Sequence, residues 1–148
     1  MGRKIKFRAW DNQEKRILLN GCIGAGSSYQ LITIGWDGGL TLCNAFGLQD
    51  GTNPSFDLPV TERFVMLQFT GLTDMNGKEI YEGDILEGIS NNIFSQGDVQ
   101  NYEVIWGIDH WHISGTGFSL QELFNYCNNK IKVIGNIYET PKIKRKCY

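Results

Sequence analysis

Short apolar runs with a period of two, separated by glycine-bearing turn pairs, restrict this chain to a β-rich fold. Residues 29–34, 40–43, 64–70, 79–86 and 102–106 read as strands, and Asp37-Gly38, Asp50-Gly51 and Asn76-Gly77 mark turns between such runs. Eighteen glycines against three prolines fit that density of turns better than they fit a helix bundle. At 148 residues the chain is long enough for one domain, or for two small β units.

Gly83-Asp84 carries the most local information about the type of sheet. A glycine, an acidic residue and then an apolar run occur where a small barrel turns sharply into a strand. Glycine permits the backbone turn, and the carboxylate accepts hydrogen bonds from nearby amides. One helix is predicted near residues 119–128. Ser119 with Glu122 three residues later forms a capping box, and Leu120, Leu123, Phe124 and Cys127 make one apolar stripe. Asn128-Asn129 suits a left-handed stop. A strand over 131–134 follows, with a bulge at Gly135, a continuation through 136–139 and a stop at Thr140-Pro141. At the other end, Ile5, Phe7 and Ala9 alternate with Lys4, Lys6 and Arg8, which predicts a strand with an apolar face and a basic face. Residues 47–59 and 88–100 read as loops.

No stretch approaches the roughly 20 apolar residues of a membrane span. The basic N-terminus is followed by no apolar signal core, so a cytoplasmic protein is expected. The four cysteines, Cys22, Cys43, Cys127 and Cys147, form no C-x-x-C pair, so reduced thiols are expected, and neither a zinc ribbon nor a redox motif.

Charge is uneven along the chain. Residues 1–16 hold six basic groups against two acidic ones, a balance of +4. Residues 130–148 hold six against one, a balance of +5. The middle is strongly acidic, at −11, and the net charge is −2. The basic ends supply candidate nucleic-acid contacts: Arg3, Lys4, Lys6, Arg8, Lys142, Lys144, Arg145 and Lys146. An overall pI of 5.6 is wrong for a dedicated nucleic-acid binder, and solvated surface charge is the simpler reading. Trp36, Trp106 and Trp111, near loops, are candidate protein-interface anchors if exposed and core residues if not.

Three blocks read together: residues 5–11 (Ile-Lys-Phe-Arg-Ala-Trp-Asp), residues 67–85 (running from Leu67-Gln68-Phe69-Thr70-Gly71 to Glu82-Gly83-Asp84-Ile85) and residues 133–141 (Val-Ile-Gly-Asn-Ile-Tyr-Glu-Thr-Pro). In order and spacing they resemble the YopX family of small phage and prophage proteins. Residues 17–60 and 88–118 match only loosely. The resemblance implies a mainly β fold with an SH3-type small barrel, in a protein of phage or prophage origin. It brings no catalytic residues. Phe7, Trp10, Phe69 and Tyr81 are large anchors for closing such a barrel, and Asp74 and Asn76 suit turn hydrogen bonds, so the family blocks are explained by folding.

Few constellations point to chemistry. In Asp109-His110-Trp111-His112, the two histidines would share a strand face, with Asp109 and Trp111 pointing the other way. A metal needs a third ligand, which Cys43 or Cys127 would supply only by an accident of the fold, so no metal and no cofactor is assigned. Acid–base work needs paired carboxylates in a cleft. Glu79, Glu82 and Asp84 are close in sequence, and Glu82 and Asp84 share a face if that segment is extended, but turn capping and solubility are the cheaper reading. There is no Gly-x-Ser-x-Gly elbow and no P-loop lysine.

The expected protein is therefore mainly β. Residues 1–61 form an N-terminal β-hairpin layer, 62–141 an SH3-like barrel with the helix near 119–128, and 142–148 a basic tail. It is expected to be non-enzymatic and to work in the bacterial host cytoplasm. Its expected partner is a host or phage protein or a second copy of itself, with nucleic-acid binding through the basic ends as the alternative.

Overall fold

A computed structural model of the chain describes residues 2, 4–19, 22–23, 30–34, 40–44, 63–90 and 97–143. Among these the protein is mainly β, with one short helix. The chain divides into two compact units, Phe7–Met66 and Met1–Lys6 with Leu67–Tyr148. None of the described helices is long and apolar enough to cross a membrane.

In the N-terminal unit, β1 (Phe7–Asp11) and β2 (Arg16–Leu18) form an antiparallel hairpin with Trp10 opposite Ile17. The start of β6 (Phe64–Thr73) lies on the other side of β1. A separate three-stranded antiparallel sheet joins β3 (Cys22–Ile23), β4 (Gln30–Ile34) and β5 (Leu40–Asn44). Strands β4 and β5 are the hairpin expected around Asp37-Gly38, although that turn, like Trp36 and the loop at 47–59, lies outside the described residues.

Asp11 organises the β1–β2 hairpin. Its buried carboxylate accepts from the amides of Gln13 and Glu14 at 2.9 and 3.2 Å. It also takes a two-pronged bond from Arg63, at 3.0 Å from Nε and 2.8 Å from Nη2. Burial pushes this carboxyl up, but Arg63 and the two amides outweigh it, so the group lies below its ordinary value of 3.8.

The alternation expected at the N-terminus is corrected here. Ile5 and Phe7 are exposed, whereas Arg8, Ala9, Trp10 and Asp11 are all buried. β1 runs between two neighbouring strands, and four successive buried residues mean that both of its faces are covered over that stretch. A period-two pattern reports an inner face only where the opposite face meets water.

In the C-terminal unit, the end of β6 pairs with β7 (Glu79–Tyr81). A second antiparallel sheet has the order β10-β9-β8-β11, built from β8 (Asp84–Ile89), β9 (Val99–Trp106), β10 (Trp111–Ile113) and β11 (Ile131–Asn136). The helix α1 (Leu120–Tyr126) starts at Ser119 with both bonds of the capping box made. Asn128 and Asn129 end it in the left-handed region, at φ 50° and 59°. Leu120, Leu123, Phe124 and Cys127 join Ile80, Leu86, Tyr102, Val104, Trp111, Ile113 and Ile131 in one core. Each large apolar side chain there contributes about 2 kcal/mol relative to exposure.

The glycine–acid turn forms as expected. Gly83 has φ +78°, and the Asp84 carboxylate accepts from the Tyr81 amide at 2.8 Å. β11 bulges between Val133 and Gly135. It stops at Asn136 and does not continue to 139, because the Asn136 side chain accepts from the amides of Tyr138 and Glu139 and folds the chain into a turn.

Asp74 closes the unit. One carboxylate oxygen accepts from the amides of Asn76 and Lys78, at 2.8 and 2.9 Å, and the other from Val133 on β11 at 2.9 Å. Burial raises this carboxyl too, but the three amides outweigh it and hold the group below 3.8. Asp74→Ala strands three amides and should cost about 3 kcal/mol in urea denaturation. Asp11 and Asp74 both bind protons more weakly folded than unfolded. Their stabilisation is in place above about pH 4 and is lost as pH falls through the lower folded values. The urea midpoint should therefore drop below pH 4, and drop less in Asp74→Ala.

Candidate functional site

The β9–β10 hairpin gathers most of the residues that sequence reading singles out. Its register sets Trp111 opposite Trp106, His112 opposite Ile105 and Ile113 opposite Val104. The turn between them is closed by the Gly107 amide donating to the His110 carbonyl at 2.9 Å. Alternation along β10 sends Trp111 and Ile113 into the core. Trp106 is 45% exposed, and Ile108, at the tip, is fully so. The Trp106 ring meets Trp111 edge-on with centroids 4.6 Å apart, so the exposed indole stands on a buried one. Phe118, also partly exposed, packs on Tyr126 at 5.6 Å.

The histidines lie on the same hairpin. The His110 and His112 rings are 3.8 Å apart between centroids. Asp109, expected to point away, precedes β10 in the turn, and its carboxylate touches His110 Nδ1. One ligand atom from each of Asp109, His110 and His112 lies within 4.8 Å of the others. Position 107 has no side chain, and a Cβ there would run into the His112 ring.

A second feature is a cavity of about 430 Å³ lined by Ile85, Asn101, Tyr102, Glu103, Ile137 and Pro141 together with Ile143. Burial pushes the Tyr102 phenol up to about 12, assisted by Cys127 and Tyr126. Burial likewise raises Tyr138, with the charges of Glu82 and Glu103 adding to it, and raises the Glu82 carboxyl. The carboxylates weighed for acid–base work are spread over separate tasks. Asp84 holds its turn, Glu79 pairs with Lys6 and the Tyr81 hydroxyl, and the Glu82 carboxyl is raised by burial.

The basic candidates are not alike. Lys4 and Lys142 are exposed, Lys6 pairs with Glu79 and lies over the Phe69 ring, and Arg8 is buried. Arg3, Lys144, Arg145 and Lys146 lie outside the described residues. Sequence reading overlooked Ile108 and the approach of Asp109 to His110. The available signal was Gly107, which opens a four-residue turn between two tryptophans.

The family described as YopX protein matches residues 6–143 of the chain. Among solved structures, the crystal structure of protein EF1440 from Enterococcus faecalis is similar, with a TM-score of 0.58 and 25% identity, covering 96% of this chain and 99% of that one. No curated protein matches the chain.

The two tryptophans of the hairpin should separate on mutation. Trp111→Ala should cost about 3–5 kcal/mol in urea denaturation, as a large core truncation does. Trp106→Ala should cost only about 1 kcal/mol, mainly the ring pair.

Proposed function

Because this chain belongs to the YopX protein family, we propose that it is a phage or prophage accessory protein that binds another protein chain and performs no chemistry of its own. The partner is a host or phage protein, or a second copy of this chain, met in the bacterial cytoplasm. The C-terminal unit serves as an SH3-type barrel module. That reading is supported by the positive φ of Gly71 inside a register shift of β6, the sharp Gly83-Asp84 turn and the bulge in β11.

One observation carries the binding reading: Trp106 and Ile108 are presented at the turn end of a hairpin, with buried Trp111 packed against the Trp106 ring. A half-exposed tryptophan on a fixed support is the kind of anchor that dominates protein interfaces. The pairing of Lys6 with Glu79 and the burial of Arg8 leave the described N-terminal segment with less free positive charge than its sequence suggests.

The test is an affinity pull-down from bacterial lysate with and without nuclease, run beside sedimentation velocity on the purified chain. The expected result is a stoichiometric protein partner, or a concentration-dependent dimer, that survives nuclease. It should be lost in a Trp106→Ala, Ile108→Asp double variant and retained when residues 144–148 are removed. Nucleic acid recovered without protein, released steeply by salt and dependent on residues 144–148, would overturn the proposal.

A further inference from the structure

We propose that Asp109, His110 and His112 form a binding site for one divalent transition-metal ion of the zinc type. The proposal goes beyond protein binding and stands whether or not the hairpin tip docks a partner.

The geometry supplies what a strand alone does not. Residues 110 and 112 project to one side of the hairpin with their rings 3.8 Å apart. The turn then folds the Asp109 carboxylate back to the same place, giving three ligand atoms within 4.8 Å of one another. Tetrahedral bonds of about 2.0–2.1 Å set neighbouring ligand atoms roughly 3.3 Å apart. Rotation of side chains closes that difference, since the Asp109 and His110 side chains are 76% and 47% exposed.

The support beneath the ligands is fixed. The Gly107–His110 turn bond and the Trp106–Trp111 ring pair hold the two strands, and His112 forms a β-bridge to Ser119, the N-cap of α1. The His112 ring occupies space that any side chain at 107 would fill. Gly107 is not in the left-handed region, so what this position requires is room and not backbone freedom.

Two imidazoles and one carboxylate suit Zn²⁺, Ni²⁺ or Cu²⁺ and not Mg²⁺ or Ca²⁺, which take oxygen ligands. Glu122 also lies within electrostatic reach of both histidines, but it is engaged in the capping box. Three protein ligands therefore leave a fourth position open for water or an incoming donor.

The test is calorimetric titration of the full chain with ZnCl₂, with MgCl₂ as control, and with Co²⁺ absorption to identify the ligands. Expected are one Zn²⁺ per chain, no Mg²⁺ binding, and a Co²⁺ spectrum without thiolate charge transfer. His110→Gln with His112→Gln should weaken Zn²⁺ binding at least about tenfold. Gly107→Ala, which keeps all three ligands but displaces the His112 ring, should weaken it as well. Circular dichroism establishes that each variant is folded, and Asp109→Asn, on an exposed turn, replaces any that is not and should weaken binding in the same sense. No Zn²⁺ uptake by the unaltered chain, uptake unchanged by the variants, or a thiolate band marking the cysteines as ligands would overturn the proposal.

Discussion

The carboxylate of Asp74 is the constraint on which the C-terminal unit turns. It answers three backbone amides at once, two in its own turn and one on β11, 59 residues away in sequence. The Met75 amide donates to the Ile131 carbonyl beside it, so the 74–78 turn and the start of β11 are joined at two points. Asp11 does the corresponding job in the N-terminal unit, with Arg63 as its remote partner. Each is a buried charge made acceptable by donors that converge on it, and each ties a local turn to a segment distant in sequence.

Around that frame the C-terminal core is ordinary apolar packing, and one sheet supplies most of it. The helix lays its stripe on the sheet that ends in β10, and Cys127 sits so close to Gly88 that a Cβ at 88 would lie 2.8 Å from its sulfur. The hairpin tip is different. Trp106 and Ile108 are exposed where they stand, and Asp109 and His110 crowd together in solvent with a partly buried His112.

How far the sequence could be read depended on how local the cause was. The helix was legible in full, because a capping box and an i, i+3, i+4, i+7 stripe involve only near neighbours. The Gly83-Asp84 turn and the Gly135 bulge were legible for the same reason. The β1 alternation was misread because burial of Arg8 depends on strands that arrive from elsewhere in the chain. The end of β11 was missed because Asn136, which looks neutral in a strand, takes up the next two amides with its side chain. At the candidate site, the two histidines and Trp106 are visible in the sequence, while strand alternation does not place Asp109, because it lies in the turn before β10.

The β-rich class, the Asn76-Gly77 and Gly83-Asp84 turns, the capped helix over 120–126 and the family are legible in the sequence alone, since these follow from spacing along a few consecutive residues. Which of Trp106 and Trp111 is core, which of the described basic residues are exposed, and that Asp109 joins His110 and His112 emerge only in three dimensions. Those outcomes depend on what remote segments place against each side chain, and a period of two or 3.6 residues carries no record of that.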